Sequence, residues 1–401
     1  MCAQTLKKMK RRRIELLDEL VMEILVRLPV KSLLRFKSVS KAWRATISDP
    51  FFVRAQLDHS ASKLKRNPSF LITPHALTST IEGEEWPTTF STRVRFYQWQ
   101  PASSAAATEA TLVHGQDFPG GEFSSVCQFA HCDGLVLLPT NTNVYLFNPA
   151  TRDTLTLPQT NPNKIPVPPY ICLPAGLGRD PRTGRYKVAR AFYRSIDPVT
   201  DVFHMGMQVY TVGDPDAAAA SWRDTAADPP YTVVEWTTAR SVEGRIFWVV
   251  DMNYKKLRPP RCLLRFSLED ETFGLTGLPD SVDPGLHESV LLDVMNGKLC
   301  LIASCRDAMA GQQPPDLCII WTLERDAGMD SRWERRYSIH TIQVARPMGD
   351  LAGDDAVMLY ARHRLYRYRP HTAELTEMCD MDGSGPSPEI RGPGAEYNIR
   401  L

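Results

Sequence analysis

From residue 67 onward helical periodicity disappears, and short apolar runs recur with the same punctuation. One unit opens on Cys132-Asp133-Gly134, runs from Leu135 to Leu138, resumes at Val144 and stops at Pro158. Others open on Glu243-Gly244-Arg245, on Asn296-Gly297-Lys298 and on Asp354-Asp355, each followed by an apolar run, a loop and a second run. Such runs, bounded by Gly, Pro, Asn and Asp, are strand signals, because the bounding residues favour tight turns. With Leu146, Tyr210, Phe266, Ile320 and Arg367 taken as equivalent positions of one middle strand, successive offsets are 64, 56, 54 and 47 residues. A unit of that size, holding several strands, cannot cover its own apolar face and must bury it against its neighbours. The repeat therefore restricts this part of the chain to an all-β architecture.

A period near 50 residues is that of kelch-like propeller blades, and closing a ring of blades protects sheet edges without cross-links. A β-propeller is expected over residues 67–380, with a β-sandwich as the alternative. Asn148-Pro149-Ala150-Thr151, Glu269-Asp270-Glu271-Thr272 and Pro370-His371-Thr372 read as turns between strands. Trp222, Trp248, Trp321 and Trp333 fall at repeat-equivalent strand sites and are expected in blade cores. Propellers bind through the variable connections of one face, which singles out Pro158–Pro174 with its six prolines, Asp251–Arg261 and Cys305–Pro315. Residues 381–401 are expected to form a flexible tail, Gly/Pro/Ser-rich from Gly383 to Gly394.

Catalytic signatures are missing: there is no G-x-S-x-G elbow, phosphate-binding G-x-x-x-x-G-K-[ST] loop or H-E-x-x-H. Cys127, His131 and Cys132 are the nearest thing to a ligand cluster, but a fourth ligand at sensible spacing is lacking. Asp133 beside Gly134 reads as turn chemistry. No catalytic residue, metal ligand or cofactor is assigned. The nine cysteines are scattered, none forms C-x-x-C, and the only N-x-S/T pattern places Pro68 after Asn67. A reducing intracellular compartment, nucleus or cytoplasm, is the expectation. No run approaches the ~18 apolar residues of a membrane helix, and no signal-peptide core is recognised at the N-terminus.

The formal net charge of +1 hides a second, differently built piece. Residues 1–66 carry 16 Lys and Arg against 6 Asp and Glu, whereas residues 67–401 carry 31 against 40. Three short helices are expected here: one from Asp18 until Pro29, one from Val30 to about Lys37, and one capped by Ser40 and stopped at Asp49-Pro50. So small a bundle cannot hide all its apolar residues. The first helix has two stripes, Leu20 with Ile24 and Val21 with Leu25 and Leu28; one can face the bundle, and the other needs either a partner or the downstream residues 67–401 to pack against. Ahead of it, Lys7, Lys8, Lys10, Arg11, Arg12 and Arg13 fill six of seven positions, as a nuclear-import signal or a solvated tail would. Nothing aromatic accompanies them, so nucleic-acid binding is not expected.

The segment Leu16 to Phe52 resembles an F-box. The resemblance rests on Leu16-x-x-Glu19-Leu20, Ile24-Leu25-x-Arg27-Leu28-Pro29, Ser32-Leu33-Leu34-Arg35-Phe36, Val39-Ser40-Lys41-x-Trp43-Arg44 and Ser48-Asp49-Pro50-x-Phe52. It implies an apolar face docking on a Skp-type adaptor, which bridges to a cullin. Carried across by position, the adaptor contacts are Leu16, Leu20, Ile24, Leu28, Pro29, Leu33 and Leu34, and Val39, Trp43 and Ile47 form the bundle's core. Leu17 stands where the family usually has Pro, which puts some of the affinity in doubt. The later region resembles the F-box-associated domain of plant proteins, through Cys132–Leu138, Leu146–Pro158, Gly176–Tyr193, Val209–Val212 with Ser221–Asp224, and Leu263–Phe273. That domain implies capture of a substrate protein.

The organisation expected is a basic tail over 1–13, an F-box over 14–57, a linker over 58–66, the β domain over 67–380 and a tail to 401. The function implied is that of a non-catalytic substrate receptor in a Skp–cullin–F-box ubiquitin ligase. Two alternatives stand beside it: a kelch-like sugar-binding or enzymatic propeller, and an adaptor-binding protein acting outside a cullin complex.

Overall fold

The computed structural model describes residues 18–66, 69–73, 93–100, 111–118, 129–140, 143–166, 174–199, 202–213, 221–235, 239–251, 260–283, 289–305, 316–341, 346–351, 356–361, 364–380 and 397–400. The chain divides into two compact units, Met1–Lys65 and Arg66–Leu401.

The first unit holds four helices where three are expected: α1 (Asp18–Val26), α2 (Val30–Phe36), α3 (Lys41–Ser48) and α4 (Pro50–Arg66). The Ser40 hydroxyl caps α3 by accepting the Trp43 N–H at 3.1 Å. Asp49-Pro50, read as a stop, both ends α3 and begins α4. The Asp49 carboxylate accepts the N–H groups of Phe51 and Phe52 at 2.8 and 3.4 Å, and Pro50 loses nothing at a first helical position, where an N–H would have no intrahelical partner. α4 then continues through 58–66, the stretch expected as a linker. Replacing Asp49 with Ala should cost about 1 kcal/mol, read as a lower urea midpoint of the helical signal.

Leu25, Leu33, Ile47 and Phe52, all at most 4% exposed, form the centre of this bundle. Two assignments change. Leu33, expected on the outward face, is core, because adjacent Leu33 and Leu34 lie about 100° apart on α2 and only one can point inward. Val39, expected in the core, is 60% exposed, since it sits in the turn after α2, its N–H on the Phe36 carbonyl, and not on a helical face. Trp43 is half-buried at the rim, edge-on to Phe36 with ring centres 5.3 Å apart.

The second unit is a ring of six four-stranded antiparallel sheets. Three strands open it: β1 (Phe70–Thr73), β2 (Arg93–Trp99) and β3 (Thr111–Asp117). Blade II contains β4 (Ala130–Cys132), β5 (Leu135–Pro139), β6 (Val144–Asn148) and β7 (Asp153–Thr156). Blade III contains β8 (Ala175–Arg179), β9 (Tyr186–Ile196), β10 (Phe203–Thr211) and β11 (Arg223–Asp224). Blade IV contains β12 (Arg240–Val242), β13 (Arg245–Val249), β14 (Cys262–Ser267) and β15 (Phe273–Gly277). Blade V contains β16 (Ser289–Met295), β17 (Lys298–Cys305), β18 (Asp316–Arg325) and β19 (Arg332–Thr341). Blade VI contains β20 (Arg346–Leu351), β21 (Ala356–Ala361), β22 (Arg364–Arg369) and β23 (Glu374–Asp380). The last strand, β24 (Tyr397–Arg400), completes blade I by pairing with β1, Leu71 opposite Ile399. Part of the stretch expected as a flexible tail is thus the inner strand that closes the ring.

The five equivalent positions chosen from the sequence all fall on third strands, β6, β10, β14, β18 and β22. Apolar clusters join each blade to the next. Phe96 meets Phe147 between I and II, Leu177 meets Leu146 between II and III, and Trp248 meets Met207 between III and IV. Trp321 meets Val249 between IV and V, Ile320 meets Val357 between V and VI, and Met358 meets Phe70 where VI returns to I. This closed ring excludes the sandwich alternative. Asp133-Gly134, Glu243-Gly244 and Asn296-Gly297 all have positive φ at both residues, the mirror-image turn whose twist matches a two-residue hairpin.

Candidate interaction surfaces

In the helical unit, α1 buries Leu25 and leaves Leu20 and Ile24 at 49% and 51% exposure on the opposite stripe. Leu34 and Pro29 are exposed on α2 and just before it, while Leu28 is half-buried against the bundle. Of the seven positions expected to contact a partner, Leu20, Ile24, Pro29 and Leu34 therefore present apolar surface to solvent. Leu16 and the basic run Lys7 to Arg13 lie outside the described residues. Phe51 and Val53 on α4 add exposed apolar surface that pattern reading missed, because α4 itself was not anticipated.

Antiparallel order within the blades assigns every connection to one of two faces. First-to-second and third-to-fourth connections share one face; second-to-third and blade-to-blade connections share the other. All three variable segments singled out from the sequence open from this second face. Residues 167–173, 252–259 and 306–315 of those segments lie outside the described residues. The described part, Pro158–Pro166, is tied along β9 beyond the end of β8. Asn163 accepts the Tyr193 N–H at 2.9 Å, the Lys164 N–H donates to the Tyr193 carbonyl at 2.9 Å, and the Trp222 indole N–H donates to the Pro158 carbonyl at 2.9 Å.

The first of these faces carries an open, charged depression of about 520 Å³ between blades III and IV. Its floor is Lys187, whose ammonium meets Asp180 and Glu271 at 3.0 Å each and the Leu268 carbonyl at 2.5 Å. Arg223 closes a second pair on Glu271. Burial would push the Asp180 carboxyl up, but hydrogen bonds from Lys187, Thr183 and the Arg182 N–H outweigh it and hold its pKa at about 2. This arrangement clamps two blades together and leaves little charge unpaired.

At the axis, Arg240 of β12 is 4% exposed and reaches Asp293 of blade V at 3.3 Å and the Phe129 carbonyl, next to β4 of blade II, at 3.2 Å. Burial first, then Arg240, push the His131 imidazole down to about 4. Cys132 is driven the other way, to about 12, by burial and by Asp133, the opposite of what a thiolate ligand requires. Cys127 lies outside the described residues; among the described residues no three His, Cys, Asp or Glu gather as a metal would need. Because the unfolded His131 takes its proton near pH 6.5 and the folded one only near 4, it should withdraw stability as pH falls between those values. A His131→Gln variant should lose less of its urea midpoint than the wild type between pH 7 and pH 5.

The four tryptophans are structural, but they do not share one repeat position. Trp222 and Trp333 stand at the start of fourth strands, Trp333 donating its indole N–H to the Gly277 carbonyl at 2.7 Å, while Trp248 and Trp321 lie on a second and a third strand. Arg190 stacks over Trp222 at 3.8 Å.

A family described as the F-box domain matches residues 14–54, and one described as the F-box associated beta propeller domain matches residues 88–349. Two putative F-box proteins of Arabidopsis thaliana are 27% identical over 278 and 288 residues, covering 69% and 72% of this chain and 60% and 58% of their own lengths. This chain thus spans under two thirds of those two relatives. An F-box/LRR-repeat/kelch-repeat protein of the same plant is 30% identical over 293 residues, 71% of this chain and 69% of its own.

Proposed function

The chain belongs to the plant F-box proteins that carry an F-box-associated β-propeller, and we propose that it is the substrate-recognition subunit of a Skp–cullin–F-box ubiquitin ligase. The observation that carries this reading is the apolar surface of Leu20 and Ile24 on α1 and Leu34 on α2, left exposed on a helical unit whose core is already filled by Leu25, Leu33, Ile47 and Phe52. An exposed stripe of this kind on a small bundle is a docking face. A Skp-type adaptor bound there brings the cullin with it, while the propeller holds the target through the face of its second-to-third and blade-to-blade connections. Tethering then raises the target's effective concentration near the charged ubiquitin into the millimolar range, of the order expected for short flexible links, and the chain itself performs no chemistry.

No helix of the described residues is long and apolar enough to cross a membrane. Action in the nucleus or cytoplasm follows from the ligase role. Co-purification of adaptor and cullin with the tagged full chain tests the proposal. Adaptor without cullin would favour a role outside the ligase, and neither partner would return the propeller to the sugar-binding or enzymatic alternative.

A further inference from the structure

The outermost strand of each blade leaves one row of backbone groups unpaired, and such edges are ordinarily shortened, charged, bulged or covered, since they invite another strand. In blade I, Arg95 lies across β3 at Gly115 and donates to the Gln116 carbonyl at 3.2 Å. In blade III, β11 is only two residues long. In blade IV, the chain of blade V lies beside β15, with the Trp333 indole N–H on the Gly277 carbonyl at 2.7 Å. In blades V and VI, β19 and β23 each pair with a register shift. Both are also charged, through Arg332, Glu334 and Arg335 on one and Glu374 and Glu377 on the other.

Blade II has none of these guards beyond the shortness of β7. This strand pairs with β6 without a register shift, its residues Asp153–Thr156 are all exposed, and Asp153 is its one charge. Leu157 follows in the same register and donates its N–H to the Val144 carbonyl at 2.9 Å. By the two-residue alternation of a strand, Leu155 and Asp153 likewise turn their backbone groups toward β6, and Thr154 and Thr156 turn theirs outward. Among the described residues nothing is bonded to these outward N–H and C=O groups.

The surroundings specify what would pair. Leu155, 43% exposed, stands opposite Leu146 of the cluster between blades II and III, so Leu155 and Asp153 share the side of β7 toward blade III. Among the described residues Asp153 has no ion pair. The adjacent Arg152 belongs to the other side: burial first, then Arg152, lower the His114 imidazole of blade I. Thr154 is on that side too, its hydroxyl donating to the Gln116 side chain at 2.8 Å. β7 runs from its turn with β6 toward the face of the second-to-third and blade-to-blade connections, and the variable segment Pro158–Pro174 leaves directly from its end.

We propose that the outer edge of β7 at Thr154 and Thr156 is a strand-addition site, taking an antiparallel segment of the captured protein with an apolar residue opposite Leu155 and a basic residue two positions later, opposite Asp153. Main-chain bonds supply affinity in such a contact and alternate side chains its specificity. With only two outward residues, this edge adds to a contact made by the neighbouring loops. The site deepens the receptor role above and rests on it.

The test uses the full chain and an eight-residue peptide alternating threonine with valine, one central valine replaced by arginine, beside the same peptide N-methylated at its threonines. The expected result is at least about tenfold slower hydrogen exchange at the Thr154 and Thr156 amides with the plain peptide, and about tenfold weaker binding after N-methylation. Thr156→Pro should weaken binding as much while leaving the thermal midpoint within about 2 °C, because proline is tolerated where no ladder bond uses its N–H. Asp153→Asn, or glutamate in place of the peptide's arginine, should weaken it further. Equal binding of the N-methylated peptide or by Thr156→Pro, protection confined to another blade, or no protection at about 1 mM peptide would overturn the site. Slow exchange at these amides in the unbound chain, relieved by dilution, would overturn it too and give the edge to a second copy. Adaptor capture is read on the same samples, so loss of the receptor role would show separately.

Discussion

Replacing Leu20 and Ile24 together with aspartate is expected to abolish capture of a Skp-type adaptor, a loss of at least about 100-fold, while leaving the thermal midpoint within about 2 °C of wild type. Both side chains lie on one stripe of α1, and about half of each is exposed. An interface that covered them would bury apolar surface worth roughly 1.5–3 kcal/mol for a fully desolvated Leu or Ile. Two carboxylates in the same place would instead require desolvating charges that have no partner. The bundle does not depend on these side chains, so folding and docking separate. Leu33 and Leu28 are poor choices for this test, because Leu33 is core and Leu28 packs on it; aspartate there would unfold the unit and lose capture for an uninformative reason. Undiminished capture by the Leu20, Ile24 double variant, with the fold intact, would refute the docking face.

The second large effect lies in the propeller. Lys187→Met should destabilise it by about 3–5 kcal/mol, the usual cost of breaking a buried ion pair from one side. The ammonium is the shared partner of Asp180, which has no exposed surface, and of Glu271 across the blade boundary. Without it, Asp180 keeps only its turn hydrogen bonds from Arg182 and Thr183 while remaining buried. The depressed pKa of Asp180 sets the pH signature: its stabilisation is complete above the unfolded carboxyl value of 3.8 and is lost as pH falls toward the folded value of about 2. Urea midpoints at neutral pH and through that acid window, for wild type and Lys187→Met, check both statements. The variant should start lower and fall less steeply through the window. A midpoint unchanged at neutral pH would mean that the interblade cluster around Trp248 and Met207 holds the two blades without the ionic clamp.

The blades that announce themselves in the sequence are those whose four strands are contiguous. Asp133-Gly134, Glu243-Gly244 and Asn296-Gly297 each mark a first hairpin, because only particular residues accept the positive φ of such a turn. Blade I has no such marker. Its inner strand comes from Tyr397–Arg400, more than 300 residues from the β1 strand it pairs with, and no local pattern connects the two. In the helical unit the period of α1 indicated two apolar stripes, but choosing between Leu33 and Leu34, and placing Val39, required the angle at which α2 meets α3 and α4.

Local chemistry, then, determined a great deal. Turn residues, alternating apolar runs, helix caps and a basic excess before residue 67 were enough to divide the chain into a helical piece and a β repeat, and the resemblance of Leu16 to Phe52 to an F-box directed attention to docking. Tertiary structure alone decided the number of blades, the closure of the ring by its last strand and the clamp of Lys187 between blades. Each of these depends on groups far apart in the chain meeting across a boundary. Sequence periodicity reports which face of an element is buried, and carries no information about which distant element buries it.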